Sequence, residues 1–155
     1  MERVGLASFD IIKENIHKGK YPRLGSGSGR VVFDLNNGYV IKAAKNRRGI
    51  AQNKAECVIA KNDRSSMFAK IIDASKDYHF VIMEKADRVQ SISIVWRYYK
   101  VKNNRELSGL DPFKKICSRH DLLMSDLYRR MNWGLVKGKP VIIDYGFTKE
   151  TKKLY

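Results

Sequence analysis

The chain has few cysteines, few histidines and few acids, and it lacks any long apolar run. Its two cysteines, Cys57 and Cys117, lie far apart in helix-like patterns. That fits reduced, buried thiols in a cytoplasmic protein better than a disulfide framework. None of the three histidines stands at ligand spacing to a cysteine, which argues against a zinc site. No apolar stretch approaches the ~20 residues of a membrane span. Residues 1–5, Met-Glu-Arg-Val-Gly, carry no long apolar segment and no small-residue cleavage site, so no secretion signal is read there. Acidic residues number 16 against 31 lysines and arginines, a net charge of +15. Such an excess draws anions: nucleic acid, nucleotide phosphates or an acidic protein. The cations are dispersed, from Lys13 through Lys45, Arg97 and Arg129 to Lys153. Dispersed charge implies solubility and non-specific polyanion binding more than a duplex-reading face.

What is present is a 43% apolar fraction in 155 residues, enough to pack one domain spanning 1–155. Residues 8–17 read as a short amphipathic helix, with Ser8 as N-cap and Phe9, Ile12 and Ile16 on one face. A glycine-rich turn, Leu24-Gly25-Ser26-Gly27-Ser28-Gly29, then leads into a β-branched strand. Such a turn can fold over phosphates and offer them backbone N–H groups. It is neither a Walker A loop nor a dinucleotide fingerprint, because no G-K-[ST] and no helix follow it. Asn36-Asn37-Gly38 is a hairpin turn. The strand after it, Tyr39 to Ala43, sets Lys42 among apolar residues. Lys42 is either a solvated edge lysine or an ammonium aimed at phosphate oxygens, and the order of elements favours the latter.

Residues 49–62 form the next helix, with Ile50, Ala51, Ala55, Val58, Ile59 and Asn62 marking its face. Glu56 borders that face, either as a solvated charge or as the partner of Lys42. Phe68 to Asp73 and Tyr78 to Glu84 read as paired strands joined at Ser75-Lys76-Asp77, with Phe80 to Met83 inside the sheet. Trp96, Tyr98 and Tyr99 lie between basic residues, as in single-strand binders, but Ile92, Val95, Trp96 and Tyr99 at helical spacing read as core. Asp111-Pro112 starts a helix as N-cap and N1. Its stripe runs through Phe113, Ile116, Cys117 and His120 towards Leu123 and Leu127. His120 reads as a packed histidine, and Asp126 lies near the helix end.

The stretch from Met131 to Phe147 organises the rest. Gly134 to Val136 is one strand, Lys137-Gly138-Lys139 a turn, and Pro140 to Ile143 the return. Asn132 and Asp144 sit at the mouth of this hairpin. Together they offer a carboxamide and a carboxylate, oxygen ligands suited to Mg²⁺.

In this order the parts resemble the protein-kinase fold over residues 24–147. Leu24 to Val32 looks like the glycine-rich loop G-x-G-x-x-G-x-V, with Gly25 and Gly27 matching and Arg30 where the third glycine belongs. Val40-Ile41-Lys42 resembles V-A-I-K, and Glu56 falls where the partner of that lysine is expected. Met83-Glu84-Lys85-Ala86 looks like the linker between lobes, where Glu84 and Ala86 would present backbone groups to adenine. Asn132 resembles the metal-binding asparagine, and Asp144-Tyr145-Gly146 is similar to D-F-G. In the family's catalytic loop the base aspartate stands five residues before the asparagine. Here Leu127 is at that distance and Asp126 is six residues back, so a one-residue bulge is needed. Arg119-His120-Asp121 is a scrambled near-match too far upstream to count. Nine residues follow Gly146, too few for an activation segment or the helices that seat a protein substrate.

The resemblance therefore implies an α+β, minimal kinase-like protein of the phage or mobile-element type. It would have an N-lobe at 1–86, comprising a small antiparallel sheet, one helix and the N-terminal helix, and a truncated helical C-lobe with a hairpin at 87–155. It also implies an ATP-dependent phosphotransferase using ATP and Mg²⁺. Gly25, Gly27, Lys42, Glu56, Glu84 and Ala86 would bind the nucleotide, Asn132 and Asp144 the metal, and Asp126 would be the base. Two alternatives stand beside it: a kinase-like protein without turnover that binds an acidic partner, and a basic nucleic-acid-binding regulator.

Overall fold

The structure, a computed structural model, describes residues 8–154. Residues 1–5, read above for a secretion signal, and the outermost ends of the 1–155 domain lie outside that range.

Five strands form one antiparallel sheet: β1 (Arg23–Ser26), β2 (Arg30–Asp34), β3 (Tyr39–Ala44), β4 (Ile71–Ala74) and β5 (Phe80–Glu84), in the order β1-β2-β3-β5-β4. The β2–β3 hairpin turns at Asn36 and Gly38, both with positive φ, as that turn sequence demands. Because side chains alternate across a strand, β3 and β5 supply two cores. Ile41 and Ile82 point to one face, where α1 (Phe9–His17) buries Ile12 and stacks Phe9 on Phe80. Ser8 caps α1 by accepting from the Ile11 N–H at 3.4 Å. Val40, Lys42 and Met83 point to the other face, where α2 (Arg47–Asn62) packs. Lys42 is therefore on a central strand and 5% exposed, not at a solvated edge.

The helix α2 corrects the sequence reading of its face. Val58 is half exposed and Asn62 is exposed. The buried stripe is Gly49, Asn53, Glu56 and Ile59, at helical spacing but largely polar. Hydrophobic periodicity misses such a stripe, because what it buries is a hydrogen-bonded network. Asn46 caps the helix by accepting from the Gly49 N–H. The thiol of Cys57 on α2 and that of Cys117 are unpaired and half-buried, not fully buried.

After β5 the chain passes through Lys85 and Ala86 into β6 (Asp87–Arg88). A helical region follows: α3 (Ser93–Tyr98), α4 (Asn104–Ser108) and α5 (Asp111–His120). Val95 is fully buried, with Trp96 and Tyr99 packed against the same core, so this aromatic cluster is interior. The N-cap of α5 is Leu110, and Asp111 and Pro112 lie inside its first turn. That helix stops at His120, because Asp121 adopts the left-handed conformation, φ 58°. The stripe expected to run on to Leu127 is thus broken. Met124–Tyr128 forms a separate 3-10 turn and Arg130–Asn132 another.

The hairpin lies where the sequence puts it, as β7 (Trp133–Val136) and β8 (Lys139–Ile142), turning through Lys137 and Gly138 at positive φ. With β6 it makes a three-stranded sheet in the order β6-β7-β8. Ile142 stitches it to the segment ahead of β4. Its N–H donates to the Met67 carbonyl at 2.8 Å and its carbonyl accepts from the Ala69 N–H at 2.9 Å. Phe68, expected in a strand with Asp73, instead bridges to Ile142, and β4 starts at Ile71. A short helix, α6 (Lys149–Lys152), is capped by Thr148 and packs against α2. The result is the α+β architecture that the order of motifs implies: a small antiparallel sheet with its helix, joined to a helical region carrying a hairpin. Among the described residues no helix is long and apolar enough to cross a membrane.

Candidate active site

A cleft of about 790 Å³ opens between the five-stranded sheet and the hairpin sheet. Its roof is the turn from Leu24 to Arg30, its back wall the stretch from Met83 to Arg88, and its floor Asp126, Asn132 and Asp144. All nine residues that sequence reading singled out are on or beside it. Glu56 stands just behind, fully buried on α2.

Glu56 is the hub. Lys42 Nζ donates to both of its carboxylate oxygens at 3.0 Å and also to the Ile143 carbonyl. Arg30 clasps the same carboxylate with two N–H donors, at 2.8 and 3.1 Å. The backbone N–H groups of Tyr145 and Gly146 donate to Oε2, each at 3.0 Å. Burial alone would push this carboxyl up. The charges of Arg30 and Lys42 and their hydrogen bonds outweigh burial and hold it down at about 2. Burial in turn lowers the Lys42 ammonium, against the pull of Glu56.

Thus the glycine turn, the lysine strand, α2 and the Asp144-Tyr145-Gly146 segment meet at one carboxylate. Tyr145 is anchored by its hydroxyl, which donates to the Ala69 carbonyl at 2.8 Å. Gly146 is required on steric grounds, since a Cβ there would lie 2.5 Å from the Gln52 carbonyl oxygen on α2. Gly146→Ala should therefore force α2 and this segment apart and cost about 1–3 kcal/mol, as overpacking does. Chemical denaturation checks this, and an unchanged midpoint would show that the segment yields freely.

Across the cleft, Asn132 Nδ2 donates to the Asp126 carbonyl at 2.7 Å and Trp133 Nε1 to the Leu127 carbonyl at 2.9 Å. These bonds hold the 3-10 turn that carries Asp126 against the start of the hairpin. Two successive 3-10 turns, Met124–Tyr128 and Arg130–Asn132, span the step from Asp126 to Asn132. Burial raises the Asp126 carboxyl, helped by the nearby Asp144 charge, while Lys152 and Arg129 pull it down.

The donor set suits a hard divalent cation. The Asn132 amide nitrogen is spent on the Asp126 carbonyl, which leaves Oδ1 as the atom it can offer a cation. The Asp144 side chain is half exposed towards the cleft, with one oxygen accepting from Arg30 at 2.9 Å. Among the described residues no group of three or more His, Cys, Asp or Glu forms a metal cluster. One carboxylate and one amide match Mg²⁺, which completes its shell with water and phosphate, rather than zinc.

Gly25 and Gly27 face open space, with nothing within 4 Å of an added Cβ. They line the cleft without being sterically required. Val32, Val40, Met83 and Ile143 give the inner cleft an apolar lining beside the backbone of Glu84 to Ala86. The Glu84 carboxylate accepts from the Lys70 N–H at 2.8 Å and its own N–H donates to the Lys70 carbonyl at 2.9 Å, so neither is left for a ligand. Sequence reading missed Arg30 as a functional side chain. The one signal was its place at the third glycine of the loop.

No protein family profile matches the chain, and no curated protein matches it. Solved structures do. The chain is similar to APH(2″)-IIa as seen in its ternary complex with streptomycin and ATP. The identity is 15% and the TM-score 0.48, over 91% of this chain and 71% of that one.

Proposed function

We propose that this chain is a kinase-like phosphotransferase that binds ATP with Mg²⁺ in the cleft, between a lobe at 1–86 and another at 87–155. The observation that carries this reading is the buried Lys42–Glu56 pair beneath the glycine turn, tied through Glu56 to the segment bearing Asp144. Adenine lies against Val32, Val40 and Met83, with backbone groups of Glu84 and Ala86 as its polar partners. Lys42, oriented by Glu56, contacts the α- and β-phosphates. Asn132 Oδ1 and Asp144 would hold the metal, which would supply charge neutralisation to the phosphates. Asp126 accepts the proton of an acceptor hydroxyl as that oxygen bonds to the γ-phosphorus. The bond to the β–γ bridging oxygen breaks and ADP leaves. The raised Asp126 carboxyl supports its role as a base with some proton affinity.

ATP with Mg²⁺ should raise the melting temperature, and Lys42→Met should reduce that rise relative to the variant's own baseline. A ligand that binds only the native state stabilises it by about 2.7 kcal/mol at a hundredfold excess over its Kd. Equal shifts in wild type and Lys42→Met would remove Lys42 from the phosphate site. A second reading, a nucleotide-binding protein without turnover that engages an acidic partner through its basic surface, is favoured by one observation: Arg30 already occupies an oxygen of Asp144.

A further inference from the structure

The third glycine of the loop pattern is replaced by an arginine that reaches into the phosphate site. Arg30 is only 7% exposed. It donates to both oxygens of Glu56, to Asn53 Oδ1 at 3.1 Å and to Asp144 Oδ1 at 2.9 Å. Asn53 is itself fixed, donating to the Tyr78 carbonyl at 2.8 Å. The guanidinium is therefore held rigidly between α2, β2 and the Asp144-Tyr145-Gly146 segment. Its planar fork suits two carboxylates at once.

The charge balance changes accordingly. With glycine at position 30, Lys42 alone would face Glu56 and Asp144, leaving one negative charge for a divalent cation to offset. With Arg30, two fixed cations meet two carboxylates, and the set is neutral before any cation arrives. Arg30 also orients Asp144, a task that a bound metal ion would otherwise share.

We infer that Arg30 is a built-in counter-cation of the phosphate site, so that this protein takes up nucleoside triphosphate with little dependence on a divalent cation. The inference rests on the nucleotide-binding reading above and specifies its ionic requirement. Arg30 neutralises Asp144 whether or not Mg²⁺ is present. The phosphates then meet Lys42, the backbone of the glycine turn and a carboxylate whose repulsion is already cancelled. Added Mg²⁺ competes with Arg30 for the same Asp144 oxygen and gains less than it would at an unpaired carboxylate.

The test is calorimetric titration with the non-transferable β,γ-methylene analogue of ATP, in excess Mg²⁺ and in EDTA. For wild type, the two dissociation constants should agree within roughly threefold, and for Arg30→Gly they should separate by roughly tenfold or more, tighter with Mg²⁺. Arg30→Lys keeps the charge and should stay near the wild-type ratio. Arg30→Gln, which keeps the three-carbon stem of the side chain without the charge, replaces Arg30→Gly if glycine in β2 prevents folding. Wild type that binds the analogue only with Mg²⁺ overturns the inference and leaves the nucleotide site standing. Wild type that binds it under neither condition overturns both. A wild-type ratio matching that of Arg30→Gly or Arg30→Gln also overturns the inference, because the guanidinium would then contribute nothing to the ionic requirement.

Discussion

Glu56→Ala should lower stability by about 3–5 kcal/mol, the range seen when one partner of a buried ionic cluster is deleted. In a chain of this size that is a melting-temperature loss of roughly 6–20 °C. The cost is large because the carboxylate satisfies four groups at once. Its loss leaves Arg30 and Lys42 as buried charges with a partner missing, and it orphans the N–H groups of Tyr145 and Gly146. Glu56→Gln should fall between, since it keeps the shape and one acceptor oxygen but loses the charge. The pH dependence has a definite sign. Against burial, Arg30 and Lys42 hold the folded carboxyl down at about 2, below the ordinary glutamate value of 4.5. Its stabilising contribution is therefore complete above the unfolded value and is lost as pH falls from there through the folded value. Urea denaturation from neutral pH down into that window should show wild type losing stability that Glu56→Gln has already lost. Equal midpoints for wild type and Glu56→Ala at neutral pH would mean that this cluster does not hold the two sheets together.

The same cluster explains which parts of the structure were legible in the sequence. The β7–β8 hairpin was legible because Lys137-Gly138 sits between two short apolar runs. Lys42 and Glu56 were legible only through the order of elements. Each alone is a common residue in a common place, and their meeting is a long-range fact. The face of α2 was misread for a physical reason. Asn53 and Glu56 are buried at 0% exposure because Arg30, Lys42 and backbone groups satisfy them, whereas a hydrophobicity pattern scores them as solvent-facing. Arg30 was passed over as a missing glycine, although its side chain is buried against Asn53, Glu56 and Asp144. The break of α5 was hidden as well. Asp121 in the left-handed conformation ends that helix, and an apolar stripe running on through Leu123 and Leu127 gives no warning of it. Leu127 is buried all the same, but from a 3-10 turn.

That break bears on whether the protein transfers phosphate. On a continued helix, Asp126 would be an ordinary surface charge beside Arg129 or Arg130. On the 3-10 turn its carbonyl is held by Asn132 and its side chain lines the cleft with Asp144. Asp126→Ala should therefore reduce phosphoryl transfer by roughly 10²–10⁴-fold, the usual contribution of a general base. Nucleotide affinity should be almost unchanged, because the proposed base would act on the acceptor hydroxyl rather than on the phosphates. Asp144→Ala should act on a different parameter and raise the Mg²⁺ concentration needed for half-maximal transfer. Radiolabelled ATP incubated with the purified protein, alone and with cell lysate as the source of acceptors, separates the two effects. The pH profile adds a check that a merely structural aspartate would not pass. Burial raises the Asp126 carboxyl, and a base works only when ionised. The acidic limb of the transfer rate should therefore be shifted upward from that of an ordinary aspartate and disappear in Asp126→Asn. Transfer that persists undiminished in Asp126→Ala would remove it as the base. Wild type that binds ATP but transfers nothing to any acceptor would leave the nucleotide site intact and assign the cleft to a binding protein, with Arg30 on Asp144 as the reason a metal does not complete it.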